Sequence, residues 1–218
     1  GDNLNLDGVE NYNKDVLGAR FSAEWEPHED WFLRLAADYV EDDSDPRQGY
    51  RLYDAVWSGN PVLGSVYDTE AGLSSPKQSV EAQGWSLLAE WNASDLITVK
   101  NIIAAREDES WTPIDFDSLP AADLDVPAIY DNEQFSEELQ ILLTADNWSG
   151  LVGFYYLDAN AHTAFDVILA QLGGLLGLPG YNAFTEGDVD TETWSVFGDF
   201  TFNLSDQWSL SVGGRYTE

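Results

Sequence analysis

The chain alternates. Leu17, Ala19, Phe21, Ala23 and Trp25 form one face of a segment whose other face is Gly18, Arg20, Ser22, Glu24 and Glu26. Trp31, Leu33, Leu35, Ala37 and Tyr39 then oppose Arg34, Ala36 and Asp38. Near the far end, Trp194, Val196, Gly198, Phe200 and Phe202 alternate with Ser195, Phe197, Asp199, Thr201 and Asn203. Beyond them, Trp208, Leu210, Val212, Gly214 and Tyr216 alternate with Ser209, Ser211, Gly213, Arg215 and Thr217. A period of two is the signature of half-buried strands. The middle is less regular: Leu88 interrupts the polar face of 84–91, Ile102 shares a face with Lys100 and Arg106, and 151–157 is apolar on both faces.

Four polar junctions separate these segments in pairs: Pro27–Asp30, Asn92–Asp95, Asn147–Gly150 and Asn203–Asp206. Each carries Asn or Pro, then Ser or Glu, then Asp or Gly, residues that close tight turns by local hydrogen bonding. Three match the N-x-[ST] glycosylation pattern, but inside a tight turn the Asx-turn reading outweighs it.

The pattern predicts an all-β chain, an antiparallel up-and-down meander of about eight strands over 14–26, 31–41, 80–91, 96–106, 132–145, 149–158, 191–203 and 208–217. Strands of about ten residues match a tilted membrane-crossing strand. Short turns join the strands within each pair, and connections of roughly 25–40 residues join the pairs, far beyond ordinary loop lengths. Every long loop must then emerge at one end, as in a segment of a transmembrane β-barrel. Trp25, Trp31, Trp91, Trp148, Phe202 and Trp208 cluster near the short turns, with Tyr39, Trp194 and Tyr216 near the opposite strand ends. Aromatics at both rims of an apolar band form the girdles of a membrane barrel, which a β-sandwich does not require.

Composition narrows the partners. Forty acidic residues face nine basic ones, for a formal charge of −31. Nucleic acid is excluded as a partner, because phosphate binding needs clustered Lys and Arg. With no cysteine there is no disulfide or thiolate site. No methionine occurs, even at position 1, which predicts a mature or excised piece. No run approaches the length of a membrane helix; Ala164 to Leu178 is interrupted by Asp166, Gln171 and three glycines.

Catalysis is not expected. The two histidines, His28 and His162, fall at opposite strand ends, and with 40 carboxylates an acid pair arises by chance. Asp42, Asp43, Ser44 and Asp45, and likewise Asp115, Asp117, Asp123 and Asp125, offer oxygens to a hard cation but lack a calcium-loop spacing, so they read first as solvated acidic loops. The candidate ligand contacts are loop aromatics: Tyr50, Tyr53, Trp57, Tyr67, Trp111, Phe116, Tyr130 and Tyr181, with Phe165 and Phe184. The apolar 165–178 segment could form a short helix on the barrel mouth.

Gln134-Phe135-Ser136-Glu137-Glu138-Leu139, its turn, and Leu151-Val152-Gly153-Phe154-Tyr155-Tyr156 resemble a barrel hairpin of the TonB-dependent outer-membrane receptors. Ser195 to Phe200, through Leu204-Ser205-Asp206, to Gly214-Arg215-Tyr216-Thr217-Glu218 resembles the next hairpin. The resemblance runs from about Val16 onward. It implies a share of a barrel of about 22 strands with a plug domain, placed in the outer membrane of a Gram-negative bacterium. The family takes up ferric siderophores, cobalamin or carbohydrates, driven by the inner-membrane protein TonB. Ferric-siderophore-type iron complexes are the commonest cargo, and no cofactor is implied. The plug, the energy-coupling box and the terminal sorting strand of that family are not in this sequence. The other readings are a small structural or adhesive barrel and a soluble acidic carbohydrate-binding β-sandwich.

Two geometric expectations follow. Phe21, Trp25, Leu33, Leu35, Trp85, Leu87, Phe200, Leu210 and Val212 should share one convex, lipid-facing surface, with Arg20, Arg34, Asp199 and Arg215 on the concave one. The first and last strands should not pair, because many inward residues are Gly, Ser or Thr, too small to fill a closed eight-stranded barrel.

Overall fold

The computed structural model describes residues 1–218. Eight strands form a single antiparallel sheet in the order β1-β2-β3-β4-β5-β6-β7-β8. They are β1 (Val16–His28), β2 (Trp31–Asp42), β3 (Ser79–Asn92), β4 (Ile97–Asp115), β5 (Asp125–Thr144), β6 (Trp148–Ile168), β7 (Asn182–Ser205) and β8 (Trp208–Thr217), with one helix, α1 (Ala170–Leu176), between β6 and β7. No ladder joins β1 to β8, so the sheet is open, which removes both the closed small barrel and the two-sheet sandwich.

An open sheet cannot enclose a core. The accessible surface is 14041 Å², against roughly 10,000 Å² expected of a compact monomer of this mass. Only four apolar residues are buried, Ala71, Leu73, Ala128 and Ala164, and none lies at mid-sheet among the large side chains of β1–β3. Hydrogen-bonded register, not a core, holds this chain together.

The turns work locally. Ser94 Oγ accepts from the backbone N–H groups of Leu96 and Ile97 at 3.3 and 3.2 Å. Ser205 Oγ accepts from Gln207 N–H at 3.3 Å, beside a register shift between Asn203 and Ser205. Two of the expected turn segments are displaced. Trp148, Ser149 and Gly150 already belong to β6, and Asn203 to Ser205 still belong to β7. The pairing of Ser149 with Thr144 and Ser205 with Trp208 carries the ladder closer to each tip than the polar residues suggested.

The larger departure is at the other end. β4 to β7 run 19, 20, 21 and 24 residues, about 60–80 Å of strand each at ~3.3 Å per residue. The expected long connections between β4 and β5 and between β6 and β7 shrink to 116–124 and 169–181; only 43–78 remains a long loop. Pro113 and Pro127 disguised the extension, since proline reads as a strand breaker. They face each other in register, and each lies past the end of its strand's other ladder: β3 stops at Ser79↔Trp111, and β6 begins pairing at Ala128↔Phe165. Proline's missing N–H therefore deprives no neighbouring strand of a partner. Phe165 is strand, and the helix starts only at Ala170. Gly177, at φ 73°, closes it in the left-handed conformation that glycine adopts without strain.

Register sorts the side chains onto two faces, because directly opposed residues share a side. One row reads Arg20, Asp38, Gly84, Arg106, Gln134 and Ala159 across six strands. All five strand-borne basic residues, Arg20, Arg34, Lys100, Arg106 and Arg215, lie on this face, together with Asp199. The opposite face carries Phe21, Trp25, Leu33, Leu35, Trp85, Leu87, Phe200, Leu210 and Val212, as the alternation predicted. A hollow of about 840 Å³ opens on the first face: in each of six strands it is lined by three consecutive residues whose middle member belongs to the Arg20–Ala159 row. The polar face is thus the concave one.

Candidate functional site

Three zones carry the chemistry: the concave face, the turn-end aromatic rim and the cap above the long hairpins. On the concave face, Gly84 leaves room for Arg106 to reach across β3 to Asp38. Its Nη2 donates to both carboxylate oxygens, at 2.9 and 2.7 Å. A Cβ on Gly84 would stand 3.1 Å from the Arg106 Nε, so any larger residue there would press the guanidinium aside. Lys100 pairs with Glu90 at 3.1 Å, and the Arg215 guanidinium lies 5.7 Å from the ring centroids of both Tyr155 and Phe197. Three of the five inward cations, Arg106, Lys100 and Arg215, thus have a carboxylate or a π-face within reach.

At the short-turn end, Trp25, Trp31, Trp91, Trp148, Phe202 and Trp208 all lie on the apolar convex face. Trp31 and Trp91 stack with centroids 5.5 Å apart and planes 12° apart. Trp148 meets Phe200 and Phe202 at 6.2 and 6.5 Å.

The opposite end does not gather the predicted ligand aromatics into one site. Trp111 and Tyr130 are strand residues of β4 and β5, not loop residues, because 107–115 and 125–133 pair in unbroken register. They also point to opposite faces, since Trp111 opposes Ile129 while Tyr130 opposes Ser110. Tyr53 and Trp57 are 84% and 89% exposed on the 43–78 loop, Tyr67 is exposed farther along it, and Phe116 is exposed on the β4–β5 connection. Tyr50 is tied down by a hydrogen bond from its hydroxyl to the Leu63 carbonyl at 2.7 Å. Tyr181 sits against Gly173 of α1, and its carbonyl accepts from Leu169 N–H.

What sequence reasoning missed is a polar cap. Asn3 donates to Gln48 Oε1 at 2.5 Å and to the Ala71 carbonyl at 2.8 Å, and Asn11 and Gln48 exchange side-chain-to-backbone bonds. Arg51 bonds the carbonyls of Asn60, Pro61 and Ser118 and pairs with Glu70. These contacts span up to 68 residues of sequence and follow no periodicity, so no pattern in the chain announces them.

The acidic clusters separate as well. At the end of β2, the Ser44 hydroxyl and N–H hold the Asp42 carboxyl below the usual range. Asp123 Oδ1 accepts from Gln171 N–H in the first turn of α1 at 3.0 Å. Burial pushes Asp117 and Asp125 each up to about 6, their carboxylate neighbours adding to the effect, and raises Asp115 as well. His28, Glu29 and Asp30 do bring three ligand atoms within 4.8 Å, but on an exposed turn. His162, at the other end as expected, is hydrogen-bonded to Asp188 at 2.8 Å, which raises its pKa.

No protein-family profile and no curated protein matches the chain. Its fold is that of outer-membrane receptor barrels. The ferric yersiniabactin uptake receptor FyuA of Yersinia pestis superposes on 93% of the chain with a TM-score of 0.69 at 14% identity. The ferripyoverdine receptor of the Pseudomonas aeruginosa outer membrane superposes on 94% with a TM-score of 0.64 at 18% identity. An FpvAI–pyocin S2 complex matches the same share at a TM-score of 0.55. The chain spans about 30% of the length of these receptors. The solved structures it resembles are transport receptors rather than enzymes, and no helix is long and apolar enough to cross a membrane.

Proposed function

We propose that the chain is eight consecutive barrel strands of a TonB-dependent outer-membrane receptor that takes up ferric-siderophore-type iron complexes. The observation that carries this reading is the open sheet: β1 and β8 leave unpaired edges while the convex face is apolar and the concave face polar and charged. Unpaired edges cannot persist in lipid, so further strands must complete the ladder. A small adhesive barrel would have closed on itself. The likeness to two siderophore receptors over nearly the whole chain supports the cargo class.

In this reading the six aromatics at the turn end sit at the periplasmic interface, where amphipathic rings are favoured. The long hairpins and the 43–78 loop stand outside the cell. Tyr53, Trp57, Tyr67 and Phe116 offer first contacts to the iron complex, with Tyr50, Trp111, Tyr130 and Tyr181 behind them. Plug and TonB contacts belong to other parts of the receptor.

The test uses the intact receptor gene. Expected results are recovery of the protein in the outer-membrane fraction and loss of growth on one ferric siderophore when the gene is deleted under iron limitation. Uptake should also require the inner-membrane coupling protein. Recovery as a soluble protein, or unchanged growth on every ferric complex supplied, would overturn the reading.

A further inference from the structure

Two carboxylate oxygens in this chain are buried without a hydrogen-bond partner, Asp115 Oδ2 and Asp125 Oδ1. They belong to residues that face each other on the last rung of the β4–β5 ladder. Asp125 is 1% exposed. The second oxygen of each group is engaged: Asp115 Oδ1 accepts from Ser118 N–H and Asp125 Oδ2 from Ser74 N–H. Backbone N–H groups of Ser118, Asp117 and Gly72 face the Asp115 carboxyl, and the Ser74 N–H and hydroxyl face that of Asp125, yet one oxygen of each stays buried with no hydrogen bond formed.

Buried negative charge of this kind needs a counter-charge or a proton. Arg51, whose charge reaches Asp117, is engaged by Glu70 and by three carbonyls. Asp117 adds to the negative field instead of relieving it. A hard cation with oxygen ligands answers this arrangement. Calcium suits it better than magnesium, because it accepts six to eight oxygens in flexible geometry, with backbone carbonyls and water completing the shell, whereas magnesium demands a near-ideal octahedron.

We propose that Asp115 and Asp125 bind a calcium ion at the top of the β4–β5 hairpin, fastening the 43–78 loop to it. The loop is already joined there by Ser74 on Asp125 and by Gly72 N–H on the Leu119 carbonyl at 2.7 Å. An ion on the bare oxygens holds the carboxylates charged and keeps those two attachments in place. Calcium thus sets whether the Tyr53–Trp57 stretch of the loop is anchored at its C-terminal end.

The experiment titrates calcium chloride into the full polypeptide carrying this chain, purified in detergent and stripped with chelator, and reads calorimetric heat, melting temperature and proteolysis of the 43–78 loop. One ion per chain is expected, with a midpoint of about 0.1–1 mM as in extracellular calcium modules, a raised melting temperature and a protected loop. Asp115→Asn and Asp125→Asn should each weaken binding at least about tenfold, while Asp146→Asn, in a turn at the other end, leaves it unchanged. Absence of saturable binding up to about 10 mM by the unmodified protein overturns the proposal, even if the variants fail to fold. So does binding whose midpoint Asp125→Asn leaves unchanged. A calcium-indifferent protein that is stabilised by acid, or by Asp125→Asn without the ion, shows a shared proton in its place and also overturns it. No cargo enters the assay, so its outcome is independent of the uptake reading.

Discussion

Along the convex face the same strands present two opposite chemistries. Toward the short turns, the rows read Trp25, Leu33, Ala89, Asn101, Leu139, Phe154, Val196, and then Trp31, Trp91, Val99, Ile141, Val152. Toward the far end they read Gln83, Glu107, Glu133, Asn160, Asp190, and then Glu41, Glu81, Glu109, Asp131, His162, Asp188. Backbone geometry and register do not change between the two. Glu81, Glu109 and Asp131 stand directly opposite one another, an arrangement that destabilises a sheet unless water and salt screen it. The first rows, apolar except for Asn101, which donates to Glu137 on the same face at 3.0 Å, gain little from water when exposed. In the proposed outer-membrane setting the switch in chemistry marks where the surrounding medium changes from lipid to water, and it lies partway up β3 to β7, well below their tips. It also explains much of the chain's acidity, which is gathered above the boundary.

The sharpest way to break this comparison is to exchange charge across the boundary. Leu87→Arg, in the apolar zone, should destabilise the folded protein in lipid vesicles by about 2–4 kcal/mol, as an arginine near mid-bilayer does. Glu109→Lys, on the same face above the boundary, should be neutral or slightly stabilising because it relieves repulsion from Glu81 and Asp131. Urea titration of both variants reads the difference; equal losses would move or erase the boundary. A smaller effect is expected at the rim. Trp31→Leu keeps an apolar side chain but loses the stack on Trp91, about 0.5–1.5 kcal/mol, whereas Trp57→Leu on the exposed loop should leave stability unchanged.

The smallest effect is one of pH and belongs to the cap. Asp117 and Asp125 have folded pKa values near 6, above the ordinary carboxylate value. The folded cap therefore binds more protons than the unfolded one between about pH 4 and 6, and its stability falls as pH rises through that window. In chelator, proteolysis of the 43–78 loop should quicken from pH 5 to pH 7 and the strands should be unaffected. A loop that becomes more resistant as pH rises would contradict the burial of these carboxylates.

The sequence by itself determined the strand number, the meander, the two faces and the end at which the turns lie. Those features rest on alternation and turn chemistry, which are local: Phe21 and Arg20 go to opposite faces whatever the rest of the chain does. The open edge was also legible, from small inward residues such as Ser195, Ser209, Ser211 and Gly213. Tertiary structure alone decided three things. The long extensions of β4 to β7 depend on ladders between 107–115 and 125–133 and between 159–168 and 182–191, where Pro, Asn and Asp have poor strand propensity but each strand supplies the other's hydrogen bonds. The cap depends on Asn3, Gln48, Arg51 and Ser118 meeting across long stretches of chain. The buried Asp115–Asp125 rung depends on both, since an aspartate in a solvated loop and one under a folded cap are the same letter, and only the loop laid over it removes the water.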